Sequence, residues 1–451
     1  MKIEDIKEML LTNHNIILHG APGTGKTYLA QEIARIVCNI GKNAKVEDSS
    51  QFKMVQFHPS YDYTDFVEGL RPKNNNKGEI VFERKDGTFK AFCKKAILDD
   101  GIMVLPTGKN NADLLHMVWQ VIVNEIKQKG QNGLVLSQFR GGSTVPLKYD
   151  NDKKAILLPY YGKQKNRNEE VKFEKIQDVF KDKEYNISNI KNIKTKELKS
   201  DTQEGGKYNF WNTSDAWALI NYIADTFKKM CRPNYVFLID EINRGDMSKI
   251  FGELFFAIDP GYRGEKGKIP TQYQNLVTEM YIDENGQKVR DPFSEGFYIP
   301  DNVYIIGTMN DIDRSVESMD FAMRRRFQFV EITAESRANG MGLKDENGNK
   351  TDAYKRMTGL NNCISSKEIG LTSAYHIGGS YFLDANKQPI KDDDDFKKLW
   401  NYRLKGLLRE YLRGEEESVV TTKLDILQKA FGIDKDGNLI TIGDKSTAET
   451  N

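Results

Sequence analysis

Apolar residues near the start of the chain change their spacing, and the change predicts a helix, a strand and a second helix. Residues 3–11 have apolar side chains at helical spacing, and residues 15–19 form an apolar run of strand length. A glycine-rich stretch, 20–27, joins this strand to a second helical pattern that continues through Ala34. A strand, a glycine loop and a helix in this order are typical of a parallel α/β unit.

Two later apolar runs predict strands that are buried on both faces and end in polar residues. Residues 235–239 lead into Asp240 and Glu241, and the run that begins at Val303 leads into Asn310. Strands that are apolar on both faces are typical of parallel sheets, which bind ligands at the carboxyl ends of their strands. We therefore expect these polar residues and the glycine loop to lie at one edge of a sheet.

The sequence Gly20-Ala-Pro-Gly-Thr-Gly-Lys26-Thr27 has the pattern of a phosphate-binding loop. Its glycines allow successive N–H groups to turn toward a phosphate at the start of the following helix. Lys26 would contact the β and γ phosphates, and the Thr27 hydroxyl would bind Mg²⁺. A glycine turn without a ligand is the alternative, which the flanking strand and helix disfavour. The residues assigned to the nucleotide are Gly20, Ala21, Pro22, Gly23, Thr24, Gly25, Lys26 and Thr27.

The polar strand ends supply the remaining groups for nucleoside-triphosphate hydrolysis. Asp240 is suited to the Mg²⁺ shell, and Glu241 to orienting or polarising the attacking water. Asn310 could bridge that water and the γ-phosphate from a neighbouring strand. Strand ends with solvated acids are the alternative to this interpretation.

Residues 319–327 predict a helix whose last turn carries Arg324, Arg325 and Arg326. Two interpretations are open. Cations stabilise the C-terminal end of a helix, and an arginine could also reach across a subunit boundary to the γ-phosphate of a neighbour. We favour the second interpretation, with Arg324 and Arg325 as the candidates.

Composition limits the class of protein. The 451 residues are 39% hydrophobic and 29% charged, which predicts a soluble protein of two or three lobes without a membrane span. With 66 Lys and Arg against 65 Asp and Glu, the net charge of +1 excludes a highly basic nucleic-acid binder, although a local basic patch remains open. The four cysteines are widely spaced, which predicts buried, reduced thiols in a cytoplasmic protein.

Three stretches, 55–69, 240–253 and 307–315, resemble the AAA+ superfamily and, within it, the McrB-type motors of modification-dependent restriction systems. The element Met-Asn-x-x-Asp-Arg, which ends at Asp313 and Arg314, is the most specific of them. The resemblance covers residues 1–100 and 209–335, and extends more loosely to a lid region with the sequence Tyr375-His-Ile-Gly-Gly-Ser-Tyr381.

The resemblance implies a P-loop AAA+ α/β domain with a parallel sheet, followed by a helical lid. It implies an Mg²⁺-dependent GTPase or ATPase that forms rings, commonly hexamers, and works on DNA with a separate McrC-type nuclease. Asp313 and Arg314 would position the water or touch the neighbouring subunit. Motors of this family commonly follow a module that reads modified DNA, and we expect no such module before residue 20.

A long segment between the two core parts is expected to fold as an inserted small α+β module, because structureless loops of that length are uncommon in compact domains. Its residues 148–199 contain 14 Lys and Arg against 9 Asp and Glu, a net +5. This charge fits DNA contact and, equally, a solvated surface. The predicted parts are 1–100 and 209–335 for the core, 101–208 for the insert, 336–415 for the lid and 416–451 for a tail.

These features together favour an NTP-hydrolysing motor that acts on DNA within a McrBC-like restriction or antiviral defence complex. The alternative is an AAA+ nucleotide switch or remodeller that acts on a protein client.

Overall fold

The computed structural model describes residues 2–74, 78–99, 110–138, 146–159, 168–181, 193–199, 207–282, 288–312, 321–344 and 347–440. The chain divides into two compact units, Met1–Leu98 with Asn234–Asn451, and Asp99–Pro233. The helices are α1 (Ile3–Asn13), α2 (Lys26–Val37), α3 (Tyr63–Phe66), α4 (Thr88–Leu98), α5 (Asn111–Lys129), α6 (Phe173–Lys181), α7 (Thr213–Cys231), α8 (Met247–Phe251), α9 (Leu254–Ile258), α10 (Phe321–Arg324), α11 (Asp352–Ile364), α12 (Asp393–Leu399), α13 (Lys405–Tyr411) and α14 (Glu417–Phe431). The strands are β1 (Asn15–Gly20), β2 (Phe52–Gln56), β3 (Glu68–Asn74), β4 (Ile80–Asp86), β5 (Lys148–Asp150), β6 (Ala155–Pro159), β7 (Asn168–Val171), β8 (Tyr235–Asp240), β9 (Met280–Ile282), β10 (Lys288–Arg290), β11 (Val303–Asn310) and β12 (Gln328–Glu331).

A five-stranded sheet with the order β12-β1-β11-β8-β2 forms the centre of the first unit. All of its pairings are parallel, and the predicted strands β1, β11 and β8 are direct neighbours. Gly20 at the end of β1 is in register with Asn310, and Gln56 is in register with Asp240. The expected parallel sheet is therefore confirmed, and the ends of its central strands lie at one edge.

The alternation of side chains along each strand explains why the predicted strands are apolar on both faces. Ile16 and Leu18 of β1 pack into one apolar cluster with α1 and α2. Ile17 points the other way, into a second cluster with α3, α4, α8 and α9, and Phe237 and Ile239 of β8 join it there. Side chains of a strand point alternately to the two faces, so a sheet covered by helices on both sides needs apolar residues at successive positions.

Strands β3 and β4 form an antiparallel hairpin that the sequence patterns did not predict. Ile80 and Phe82 on β4 are largely exposed, whereas Glu68 at the start of β3 is fully buried. The Glu68 carboxylate accepts hydrogen bonds from the Lys90 ammonium and the Arg84 guanidinium. These buried polar contacts hold the base of the hairpin to α4.

Helices α11 to α14 form the lid around their own apolar core. A π-helical turn, Trp400–Leu404, joins α12 to α13. Helix α14 buries Val420, Leu424, Leu427 and Phe431 in the lid core, so the lid continues past residue 415, where the sequence placed its end. Apolar residues at helical spacing on α14 need a partner, and α11 provides it.

The second unit has its own apolar core and combines α5, α6 and α7 with the antiparallel sheet β5-β6-β7. The predicted small α+β insert is therefore present. Its C-terminal boundary differs from the predicted residue 208, because α7 packs its apolar face into the same core as α5, and the unit runs to Pro233.

Two smaller predictions concern cysteines and membranes. The four cysteines are free, with Cys38, Cys93 and Cys231 buried and Cys363 half-buried. Burial raises the pKa of the Cys93 thiol and raises that of Cys363 to about 11, which keeps both protonated. Among the described helices, none combines the length and the apolar character needed to cross a membrane.

Candidate nucleotide site

The glycine loop curls around the ammonium group of Lys26 at the end of β1. Lys26 is 7% exposed, and its Nζ donates hydrogen bonds to the carbonyl oxygens of Gly20 (3.1 Å) and Ala21 (2.8 Å). Gly25, directly before α2, has φ +83°, a left-handed conformation that favours glycine. The loop thus leads straight into a helix N-terminus, where backbone N–H groups attract anions.

Two hydroxyls and a carboxylate from three elements, α2, β11 and β8, meet beside this loop. The Thr27 hydroxyl donates to Asp240 Oδ1 over 2.8 Å, and the Thr308 hydroxyl donates to the same oxygen over 2.5 Å. Mg²⁺ usually binds one or two carboxylates and completes its shell with water and substrate phosphates. The oxygen atoms of Thr27 and Asp240 fit this requirement, since they lie together next to a phosphate-type loop.

Glu241 has an unusual backbone and two side-chain contacts. Its φ of +51° and ψ of +46° are left-handed, which is uncommon for residues other than glycine and recurs at functional sites. Asn310 Nδ2 donates to Glu241 Oε1 over 2.8 Å, and Arg244 Nε lies 3.4 Å from Oε2. The backbone N–H of Glu241 also donates to the Thr308 hydroxyl over 3.3 Å. Residues predicted from two separate strand ends are thus in direct contact.

A histidine–aspartate pair that sequence reasoning missed lies at the same edge. His19 Nδ1 is 3.0 Å from Asp311 Oδ1, and the Asp311 N–H donates to the Gly20 carbonyl over 3.2 Å. The His19 ring contacts Phe329 edge to face, and the Arg324 guanidinium lies over the same Phe329 ring. The pair connects His19, which directly precedes the glycine loop, to Asp311, which directly follows Asn310.

The helix predicted at 319–327 is wrong in its extent, because α10 ends at Arg324. Arg325 and Arg326 lie in the turn that leads to β12, and Asn15 Nδ2 donates to the Arg326 carbonyl, which keeps that carbonyl out of a helical ladder. Arg324 and Arg325 are exposed. Arg326 is half-buried and instead donates to the Ala322 carbonyl and contacts the Phe255 ring.

The remaining predicted residues divide into two groups. Ala21, Pro22, Gly23 and Thr24 complete the loop between Gly20 and Gly25, and Thr24 is buried with its hydroxyl donating to the Ala21 carbonyl. Asp313 and Arg314 lie outside the described residues.

Two protein-family models match long parts of the chain. The model for the AAA domain of the dynein-related subfamily matches residues 15–118 and 218–327, and the model for the McrB alpha-helical lid domain matches residues 352–420. The chain is an AAA+ protein of the McrB type. The loop, Asp240, Glu241 and Asn310 lie within the matched AAA domain, and both of its matched segments extend into the second unit.

Two curated relatives of this McrB-type chain are components of restriction enzymes. The Type IV methyl-directed restriction enzyme EcoKMcrB subunit of Escherichia coli K12 is 26% identical over 385 residues, which cover 84% of this chain and 50% of the relative. The Type II restriction enzyme BsuMI component YdiS of Bacillus subtilis 168 is 31% identical over 102 residues, 23% of this chain and 28% of the relative. The chain thus spans half the length of the first relative and less of the second.

Proposed function

We propose that this chain hydrolyses nucleoside triphosphate with Mg²⁺ and drives a restriction complex of the McrBC kind, acting on DNA as a ring with a separate nuclease subunit. The observation that carries the proposal is the meeting of the Thr27–Asp240 and Asn310–Glu241 pairs at one sheet edge, beside the loop that holds Lys26. The names of the two relatives support the restriction role.

Each group has a chemical task in this proposal. The Lys26 ammonium exchanges the carbonyl oxygens that it contacts for β- and γ-phosphate oxygens. Thr27 and Asp240 would hold Mg²⁺, which would neutralise part of the phosphate charge when bound. Glu241 accepts a hydrogen bond from the attacking water and directs it at the γ-phosphorus, while the Asn310 amide fixes the carboxylate.

Two substitutions separate nucleotide binding from turnover. Lys26→Ala is expected to abolish binding of fluorescent GTP and ATP analogues, because the loop loses its positive charge. Glu241→Gln is expected to bind them as the wild type does and to stop release of inorganic phosphate, because the amide is a poor base. Equal phosphate release by the wild type and Glu241→Gln would contradict the assigned roles. Running both nucleotides side by side determines the preferred base.

The action on DNA needs its own experiment. Turnover is measured alone, with duplex DNA, with a McrC-type nuclease subunit, and with both. Stimulation by DNA or by the nuclease would support the motor. Turnover that is the same in all four conditions would contradict the motor and favour the remodeller.

A further inference from the structure

Part of the lid lies directly on the glycine loop of the candidate nucleotide site. The lid loop, which we define as residues 378–381, donates two backbone hydrogen bonds to it. The Gly378 N–H bonds to the Pro22 carbonyl over 3.0 Å, and the Ser380 N–H bonds to the Gly23 carbonyl over 3.0 Å. The lid thus contacts the centre of the loop through main-chain atoms.

Space, and not backbone conformation, requires glycine at position 378. Its φ of −74° and ψ of 159° are available to any residue. A Cβ atom there would lie 2.0 Å from the Gly23 carbonyl carbon and 2.3 Å from the Thr24 nitrogen. Both are main-chain atoms, which cannot rotate away as the end of a flexible side chain can. The two backbones can approach this closely only when residue 378 has no side chain.

The Tyr381 ring of the lid loop also packs against the glycine loop. A Cβ atom on Gly23 would meet two ring carbons of Tyr381 at 2.7 Å, so the ring rests against the loop. The Arg403 guanidinium, from the π-helical turn, lies over the Tyr381 ring at 5.8 Å. π-helical turns inside α-helices occur frequently at functional sites.

These contacts determine which way the peptide groups of the loop face. A peptide unit is planar and trans, so its C=O and N–H point in opposite directions. Because the lid binds the Pro22 and Gly23 carbonyls, the N–H groups of Gly23 and Thr24 point away from the lid loop. Such backbone N–H groups are the ones that a glycine loop offers to phosphate.

We propose that the lid loop is a positioning element of the phosphate site, which keeps the N–H groups of the glycine loop oriented for nucleotide. The inference rests on the proposed nucleotide binding. A second contact holds the helix that follows the glycine loop: Arg337, a residue before the lid helices, has its Nη2 2.6 Å from Glu32 Oε2 on α2, which begins at Lys26. Displacement of the lid would therefore strain both the loop and its helix.

The test compares Gly378→Ala with Gly406→Ala in the full chain. Gly406 lies on α13, and a Cβ atom there would have no atom of the described residues within 4 Å, so its variant controls for adding a methyl group to the lid. Equilibrium binding of fluorescent GTP and ATP analogues and steady-state turnover are measured for each protein, together with thermal unfolding. We expect Gly378→Ala to weaken binding by about tenfold or more, because two hydrogen bonds and the loop shape are lost.

The kinetic expectation separates positioning from a loss of chemistry. Gly378→Ala is expected to raise KM much more than it lowers kcat, because saturating nucleotide restores the loop. Gly406→Ala is expected to match the wild type in both. Unchanged affinity and KM in a folded Gly378→Ala protein would overturn the inference.

A second pair of variants covers the case in which Gly378→Ala does not fold. Tyr381→Ala removes the ring that rests on Gly23, whereas Tyr381→Phe keeps the ring carbons that make this contact. We expect weaker binding for the alanine variant and wild-type binding for the phenylalanine variant; equal binding by all three proteins would contradict the inference. A wild type that binds neither nucleotide would contradict the proposed function instead.

Discussion

Thr308 connects both acids of the candidate site, although it is not an acid itself. Its hydroxyl donates to Asp240 and accepts from the Glu241 N–H, which uses its single donor and one acceptor site. It is 2% exposed, so water cannot replace either bond. Thr308 therefore fixes the carboxylate assigned to Mg²⁺ and the backbone of the residue assigned to the attacking water.

We expect Thr308→Val to lower turnover by about 10–100-fold, the usual cost of losing a group that orients a metal ligand. Valine keeps the shape of threonine without the hydroxyl. Thr308→Ser keeps the hydroxyl and should stay close to the wild type. Phosphate release at saturating Mg²⁺-nucleotide measures this effect, and a valine variant with wild-type turnover would contradict the role.

The residues of the candidate nucleotide site that could be predicted from the sequence lie at strand ends or in the glycine loop. Asp240, Glu241 and Asn310 follow apolar runs, and that pattern alone predicts a sheet edge. Thr308 lies inside a buried strand, where a hydroxyl gives no local signal because its partner comes from a neighbouring strand. The contact between His19 and Asp311 could not be predicted for the same reason, because only the parallel pairing of β1 with β11 brings these residues together.

At the scale of elements, the β3–β4 hairpin depends on a buried ion pair. Lys90 Nζ lies 2.7 Å from Glu68 Oε2, and both side chains are fully buried. Burial alone would raise the pKa of Glu68, but hydrogen bonds from Lys90 and Thr271 and the Lys90 charge lower it overall. A two-stranded hairpin is marginal by itself, so this anchor determines whether it stays ordered.

We expect Lys90→Met to lower the free energy of unfolding by about 1–3 kcal/mol, because the buried Glu68 carboxylate loses one partner while Arg84 still bonds the same oxygen. The double variant Glu68→Gln with Lys90→Met should recover much of this loss. Urea unfolding of the two variants and the wild type measures both effects. Equal stability of the single variant and the wild type would contradict the anchor.

The same pair predicts a direction of pH dependence. Because the folded-state pKa of Glu68 is lowered, its contribution to stability is complete above the unfolded value near 4.5 and is lost as the pH falls through the folded value. Glu68→Gln should flatten this part of the acid unfolding curve. An acid unfolding curve with the same slope in Glu68→Gln and in the wild type would contradict this prediction, because other groups would then cause the acid sensitivity.

The end of α10 and the turn after it carry two exposed arginines, Arg324 and Arg325, and one arginine, Arg326, whose side chain is held by contacts. We expect Arg324→Ala or Arg325→Ala to lower turnover by about 10³-fold in assembled protein while nucleotide binding is kept, as for arginines that act on a neighbour's γ-phosphate. Arg326→Ala is the matched control and should lower stability, because its guanidinium contacts Ala322 and Phe255.

A mixing experiment decides whether an arginine acts across a boundary. Glu241→Gln protein is mixed with the inactive arginine variant, and phosphate release is measured. Recovery of turnover is expected, because some interfaces then pair an intact Glu241 with an intact arginine. Mixtures as inactive as their components would contradict action between subunits.

At the scale of the whole molecule, the insert has a core of its own. Leu114, Val118 and Ile122 of α5 are fully buried together with Leu219 and Ile223 of α7. A unit with its own apolar core can fold alone. We therefore expect isolated residues 99–233 to unfold cooperatively on heating, and a featureless melting curve followed by circular dichroism would contradict this. The isolated unit then allows salt-dependent DNA binding to be measured directly.

The boundaries of the parts could be predicted less well than their type. Composition and periodicity predicted an α+β insert, but α7 and α14 each carry an apolar stripe that fits more than one partner. Which core receives such a stripe depends on packing between segments far apart in the chain, and this information is absent from any local pattern.

The position of β1 in the sheet has a consequence for synthesis. It pairs with β11 on one side and with β12 on the other, so its neighbours come from Val303–Asn310 and Gln328–Glu331. The glycine loop and its strand are translated before both neighbours: the second edge of β1 is covered only after residue 331, and until translation has passed residue 310 the strand has no lateral partner at all. During that interval a nascent chain exposes an apolar strand with two open edges, the kind of segment that chaperones protect from aggregation.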